Sequence, residues 1–272
     1  MVSNLALKCQ ATDSPLLNAV LRPAISHRRH PIFTSDEVSA DVDALVDAFK
    51  LQAIRRFYWQ QYWSEESQEA KRADGIEQGL KLENVAAHSW HVADAVMVLV
   101  GHFPDLPLSH CVALAVLHDK LEIYTGDYDP VGFDGMGTST HAFNPCAQLS
   151  KTSAEKIALE QYLASLRPGL RIEQRRLLEE IIEGETCAAK FVKAVDKLQA
   201  LAFVYVKKDG RMSDEHIDFT IRYSRKVVQY FPPLHSHYTE LLSRVLNNVA
   251  KNRGEDRNVL DNRLFAQLEL KL

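Results

Sequence analysis

The sequence predicts an all-α protein, and three observations carry that expectation. Apolar residues recur at three- and four-residue spacing through most of the chain after Thr34. Two capping boxes, Thr34-Ser35-Asp36-Glu37 and Thr152-Ser153-Ala154-Glu155, announce helix starts. No stretch alternates apolar and polar residues as a half-buried strand would, and no internal repeat is visible.

Composition narrows the class of function. At 272 residues the chain can bury the core of one domain carrying extra helices. Its 32 basic and 36 acidic residues leave a net charge of −4, so there is no basic excess for neutralising a nucleic-acid backbone. A small substrate or a protein partner fits better. Cys9, Cys111, Cys146 and Cys187 form no C-x-x-C pair, which argues against a zinc knuckle or redox motif and for a reducing, cytoplasmic setting. No run approaches 18 apolar residues, so no membrane span is expected. Residues 1–33 hold Lys8, Arg22, Arg28 and Arg29 against Asp13, without the apolar block of a secretory signal. A poorly ordered extension is expected there, with an organellar address as the other reading.

Taken in order, Val38, Val42, Leu45, Val46 and Phe49 predict a first helix from the capping box to about Trp63. The aromatic cluster at its end, Phe57, Tyr58, Trp59, Tyr62 and Trp63, reads as core packing more readily than as a base-stacking platform. Residues 64–82, with Gly75 and Gly79, read as a loop. A second helix runs from about Glu83-Asn84 to Val100 and closes at Gly101 and the Pro104–Pro107 corner. The third, Leu108 to Tyr124, is its expected antiparallel neighbour, which lets His88 face His118. Residues 126–151 read as a long loop and a candidate lid. Helices resume from Thr152 to Leu166 and from Arg171 to Ile182. Thr186 can cap the next helix, whose Phe191, Val192, Val195, Leu198, Leu201, Ala202 and Val206 share one face with Asp196. Further helices are expected over 214–231, 234–249 and 258–270, and their apolar faces suit a homodimer as well as an intrachain core.

The chemistry concentrates in Leu117-His118-Asp119-Lys120-Leu121-Glu122-Ile123-Tyr124-Thr125-Gly126-Asp127. Ionisable groups at the end of an apolar helix are costly unless paired, hydrogen-bonded or bound to metal. Adjacent helical residues diverge by about 100°, so His118 and Asp119 can share an ion only if other helices complete the set. His88 and Asp196 are placed to do so. Imidazole mixed with carboxylate suits Mn, Co, Zn, Fe or Ni. Glu122 shares the helix face of His118 and Asp119. Taken singly, each of these residues also reads as a hydrogen-bonded core residue.

Together the residues resemble a known family. Glu83-Asn84-Val85-Ala86-Ala87-His88-Ser89-Trp90, then His118-Asp119-x-x-Glu122 with Thr125-Gly126-Asp127, then Ala189 to Leu198 resemble the signature blocks of the HD-domain phosphohydrolases. The branch of the metal-dependent 5'-deoxynucleotidases is the most similar, over about residues 70–205. The resemblance implies an HD-domain helical bundle with additional N- and C-terminal helices. The chain as a whole is expected to divide into an extension at 1–33, a core at 34–210 and a C-terminal helical extension at 211–272 packed on that core, the segments before 34 and after 210 lying outside the resemblance. The resemblance also implies that His88, His118, Asp119 and Asp196 ligate a divalent transition metal. Glu122 is then the catalytic carboxylate, Asp127 orients water or substrate, and Arg72 contacts the nucleotide. The implied reaction is hydrolysis of a nucleoside 5'-monophosphate to nucleoside and phosphate. Another phosphorylated metabolite, an HD-type oxygenase and a non-catalytic regulatory module are the other readings.

The chain departs from the pattern at Ala87, Lys120 and Ala188, and its loop at 126–151 is longer than expected for the branch. None of these removes a proposed ligand; they bear on the substrate. Lys120 reads as solvated. His141, in the loop, reads as a surface residue with the site within reach. His91 reads as an outer or core residue.

Overall fold

A computed structural model describes residues 34–72 and 82–269, with side chains for 34–68 and 82–264. The cores and the site all lie within the unit Asp36–Leu272. Among the described residues the regular elements are helices, joined by short 3-10 turns, with one isolated antiparallel bridge between Arg55 and Asn84. The all-α class expected from the sequence is the class adopted. No helix among the described residues is long and apolar enough to cross a membrane.

The helices are α1 Ser35–Ala48, α2 Ser64–Arg72, α3 Val85–Leu99, α4 Leu108–Leu117, α5 Glu122–Thr125 and α6 Pro145–Ser165. They continue with α7 Pro168–Glu183, α8 Cys187–Lys208, α9 Asp214–Ser224, α10 Lys226–Tyr230, α11 His235–Arg253 and α12 Arg257–Glu269. Helix α8 is the axis, because α3, α4, α7, α9, α10 and α11 all pack against it. Its Thr186 cap accepts the Ala189 N–H at 3.1 Å, and Phe191, Val192, Ala194 and Val195 are fully buried. They meet Val92 and Val96 of α3 and Leu114 and Ala115 of α4 in the main core. A second, smaller core of Leu121, Leu159, Tyr162, Leu163 and Leu178 joins α6 to α7.

The observed elements differ from expectation where polar contacts outweigh periodicity. The first helix stops at Ala48 instead of Trp63, because Phe49–Ala53 tightens into a 3-10 turn and Arg55 leaves to pair with Asn84. Phe57, with φ of 63°, turns the chain again. It then stacks between Trp63 and Phe203 at 5.2 Å from each ring, so most of the aromatic cluster packs core, although Trp59 is exposed. Residues 64–72, expected as loop, are helical; their anchors are polar, with Glu66 on Lys208 at 2.8 Å and the Ser67 hydroxyl on Tyr58 O at 2.7 Å. Apolar periodicity cannot report such a helix. At the other end of the loop region, Asn144 caps Cys146 and Ala147, Pro145 takes the first helical position, and α6 begins seven residues earlier than the Thr152 start expected. The expected helix over 214–231 is divided at Arg225 into α9 and α10.

Candidate metal centre

Local capping delivers each donor. The Asn84 side chain accepts the Ala87 N–H at 2.9 Å and starts α3, placing the fully buried His88 in its first turn. Helix α4 ends at Leu117, and the His118 ring donates from Nδ1 to Ala115 O at 2.7 Å, satisfying one of the carbonyls a helix end leaves open. A tight turn follows, with Lys120 N–H on Leu117 O and Glu122 N–H on Asp119 O, before α5 begins. The helix expected to run unbroken to Tyr124 is therefore interrupted at the His-Asp pair, and the break turns both side chains towards His88.

The donor atoms converge. His118 Nε2 lies 3.1 Å from His88 Nε2 and 3.1 Å from Asp119 Oδ2, and Asp119 Oδ2 lies 3.4 Å from His88 Nε2. Asp196 joins from α8, its Oδ1 at 3.1 Å from His88 Nε2, while its Oδ2 accepts from Lys197 Nζ at 2.7 Å. His88, His118 and Asp119 form the one group of three or more metal-type donors lying within 4.8 Å of one another among the described residues. Donors bonded at about 2.1 Å to one ion and about 90° apart sit about 3 Å from each other, so these separations fit a metal.

The outer hydrogen bonds make the fit stricter. Buried Glu83 can only accept, so Gln199 Nε2 donates to its Oε1 at 2.9 Å and Gln199 Oε1 is left facing His88 Nδ1 at 2.8 Å. His88 therefore carries its hydrogen on Nδ1, as does His118 opposite Ala115 O. Each Nε2 then presents a lone pair, and two lone pairs 3.1 Å apart repel unless a proton or a cation lies between them. A buried histidine pair held in this tautomer could serve as a ligand pair.

Electrostatics separates the carboxylates. Burial pushes Asp119 up, but His118 and His88 outweigh it and hold the group far below the ordinary carboxylate range. Asp196 is also lowered, with Lys197 and His88 overcoming burial. Burial pushes Asp127 up to about 6, and burial with Asp119 and Asp127 nearby raises Glu122 well above its ordinary value. Burial and Arg56 work against a charge on His88, yet Asp196 and Glu83 raise its pKa. Glu83 is held near 2, because His88 and Arg56 outweigh its burial.

A pocket opens over these groups. His118, Asp119, Glu122, Asp127 and Asp196 line it, together with Lys151, Lys193, Lys197 and Lys226. Glu122 Oε2 is buried there without a hydrogen-bond partner. Three groups in or beside this site were not read from the sequence. Arg56 reaches it because the Arg55–Asn84 bridge sets its guanidinium 3.0 Å from Glu83 and 4.0 Å from Asp127. Glu83 and Gln199 form the relay behind His88. A polar Gln199 three residues after Asp196 on an apolar helix was the visible signal. Arg72 ends α2, and its side chain lies outside the described residues. His141 does line the pocket, its pKa pushed down to about 3 by burial and by Lys151 and Lys197. Lys120 points elsewhere, over the Tyr162 ring at 5.7 Å.

The loop expected as a lid is tied down as a wall. Asp129 accepts the N–H groups of Val131 and Gly132 at 2.9 Å and the Gln60 amide at 3.3 Å. Tyr62 donates to Gly135 O at 2.9 Å and Arg222 to Met136 O at 3.2 Å, and Val131 is fully buried.

Residues 64–232 match the HD domain family. The chain belongs to that family. The HD domain residues thus include α3, the turn that follows α4, and α8, which together carry all the converging donors. The chain is similar to 5'-deoxynucleotidase HDDC2 of Xenopus laevis, 32% identical over 139 residues, 49% of this chain and 62% of that protein. Human 5'-deoxynucleotidase HDDC2 is 31% identical over 137 residues, 48% of this chain and 60% of the relative. The Schizosaccharomyces pombe 5'-deoxynucleotidase hdd1 is 28% identical over 138 residues, 49% of this chain and 62% of the relative. The chain thus spans 60–62% of the length of these curated relatives. In fold it is similar to the crystal structure of a predicted metal-dependent phosphohydrolase from Magnetospirillum magnetotacticum, with a TM-score of 0.57, 20% identity and coverage of 79% of this chain and 97% of the other.

Proposed function

We propose that this HD domain chain is a metal-dependent phosphomonoesterase that hydrolyses deoxyribonucleoside or ribonucleoside 5'-monophosphates to nucleoside and inorganic phosphate. The observation that carries the reading is the facing pair of imidazole Nε2 atoms, 3.1 Å apart, with Asp119 and Asp196 beside them at a pocket that four lysines also line. The names of the relatives supply the substrate. His88, His118, Asp119 and Asp196 would hold the ion, and their mixed nitrogen and oxygen donors suit Mn, Co, Zn, Fe or Ni. When bound, such an ion supplies an acidified water and polarisation of a phosphoryl oxygen.

The chain's own groups do the rest. Glu122 Oε2, lining the pocket without a partner, is the atom free to take a hydrogen from the attacking water. Asp127, steadied by Arg56 and set at the root of the hydrogen-bonded loop, orients that water or the substrate. The water oxygen would form its bond to phosphorus as the bond to the 5' oxygen breaks, and the proton that Glu122 took from the water would pass to the departing oxygen. Arg72 is carried in this proposal as a nucleotide contact. The lysines lining the pocket offset the charge of the phosphate.

The test is phosphate release from a panel of phosphomonoesters after chelation and readdition of single metals. Restored release from nucleoside monophosphates, lost in Asp119→Ala, is expected. Full activity in Asp119→Ala, or activity confined to non-nucleotide esters, would overturn the assignment.

A further inference from the structure

The cations lining the pocket differ in what holds them. Arg56 is bound to Glu83 at 3.0 Å, Lys197 to Asp196 at 2.7 Å, and Lys151 to Glu155. Lys193 donates to Ile182 O at 3.3 Å and lies against Gly184, where φ is +69° and an added Cβ would fall 2.1 Å from Nζ, so this lysine caps the end of α7. Lys226 alone among the described pocket cations has no oxygen partner. Its ammonium lies 5.4 Å from the centroid of Phe143 and 5.1 Å from that of Tyr223.

An ammonium set in a half-buried wall between two rings loses hydration that aromatic faces replace only in part. Burial, with Lys197 nearby, outweighs the attraction of Asp196 and pushes its pKa down to about 8. Its position at the start of α10 is fixed by the Arg225 break, which the Val228 N–H bond to Arg225 O closes. The side chain is thus held at the pocket with no hydrogen-bonded or ion-paired oxygen, and the pocket is where an anion arrives.

We propose that Lys226 is a substrate-binding residue that takes an anionic oxygen of the phosphorylated substrate, making the α9–α10 corner part of the recognition wall. The proposal rests on the phosphomonoesterase reading of this pocket. An anionic oxygen has two sources: the phosphate being hydrolysed, or a second anionic group on the same molecule, such as a 3'-phosphate.

The metal-loaded full chain is compared with Lys226→Gln and Lys226→Arg on a deoxynucleoside 5'-monophosphate and its 3',5'-bisphosphate, with inorganic phosphate as inhibitor. Lys226→Gln is expected to raise KM by about tenfold with a much smaller change in kcat, and Lys226→Arg to restore most of it, because a charge-assisted hydrogen bond has been removed and returned. If the reacting phosphate is the partner, inhibition by inorganic phosphate weakens by a similar factor. If a second group is the partner, phosphate inhibition holds and the preference for bisphosphate over monophosphate collapses. Unchanged KM, inhibition and preference in Lys226→Gln would overturn the proposal, as would a failure of Lys226→Arg to rescue. Calorimetric binding of inorganic phosphate and of both nucleotides to the metal-loaded proteins needs no turnover. A wild-type chain that binds them through Lys226 yet hydrolyses none would sink the enzymatic reading and leave Lys226 as the anion site.

Discussion

The relay behind His88 offers the sharpest test of the metal centre. Gln199→Leu keeps the bulk of the side chain but removes both an acceptor, 2.8 Å from His88 Nδ1, and a donor, 2.9 Å from Glu83 Oε1. Glu83 stays satisfied, because Arg56 donates to it at 3.0 Å and His91 at 2.7 Å. His88 does not, since the remaining acceptor, Glu83 Oε2, is 3.5 Å away. The ring must leave a buried N–H unsatisfied, at about 1–3 kcal/mol, or move its hydrogen to Nε2 and lose the lone pair that faces the site. Loss of such an outer contact weakens metal binding by about 10–100-fold, or roughly 1.4–2.7 kcal/mol, so the two estimates agree. Isothermal titration of the metal-free protein with Mn²⁺ or Zn²⁺ measures it, with the melting curve in chelator confirming the fold. Gln199→Glu, which keeps an acceptor towards His88, should bind more tightly than Gln199→Leu. Affinity in Gln199→Leu within about threefold of wild type would refute the claim that this relay sets the His88 tautomer.

Other expectations concern stability. His216 is buried against Tyr62, ring centroids 4.5 Å apart, and burial with Lys208 pushes its pKa down to about 3, below the ordinary value of 6.5. Between those values the unfolded chain binds the proton that the folded chain refuses, so stability is full above pH 6.5 and falls as pH drops towards 3, by about 2 kcal/mol at pH 5. Replacing His216 by Phe should flatten the drop in melting temperature between pH 7 and pH 5; an unchanged slope would dismiss the role of this histidine. Gly137 has a φ of +72°, and an added Cβ would sit 2.7 Å from Pro130 O, so Gly137→Ala should cost about 2 kcal/mol and several degrees of melting temperature. A wild-type melting point would mean the loop wall yields easily. Asp129→Ala removes the acceptor for Val131 and Gly132 N–H groups and should destabilise by about 1–3 kcal/mol, with faster amide exchange across residues 129–137 as the local readout.

What the sequence disclosed and what it hid follow from the range of each interaction. The donors His88, His118, Asp119 and Asp196 were legible because each belongs to a short block, and a block keeps its residue types at fixed spacing whatever the tertiary structure does. Helix α8 was legible for a related reason: a Thr186 cap and a buried stripe are both local patterns. The contacts that tune those donors leave no such trace: Glu83 stands at the head of the first block, but Arg56 and Gln199, which bind it, lie outside every block. Arg56 and Glu83 meet through a bridge one residue long, and Gln199 comes to Glu83 only when α8 packs on α3. The loop shows the same division within one segment. Its Asp129 turn is written in adjacent residues, whereas the bonds from Tyr62 and Arg222 that make it a wall span 73 and 86 residues. Even the break after Leu117 obeys this rule. An apolar run that continues into Leu121 and Ile123 reads as one helix, yet an unbroken helix would aim His118 and Asp119 about 100° apart, and both must reach His88. The demand that overrides the local propensity comes from a residue on another helix, so the interruption belongs to the site and not to the segment in which it occurs.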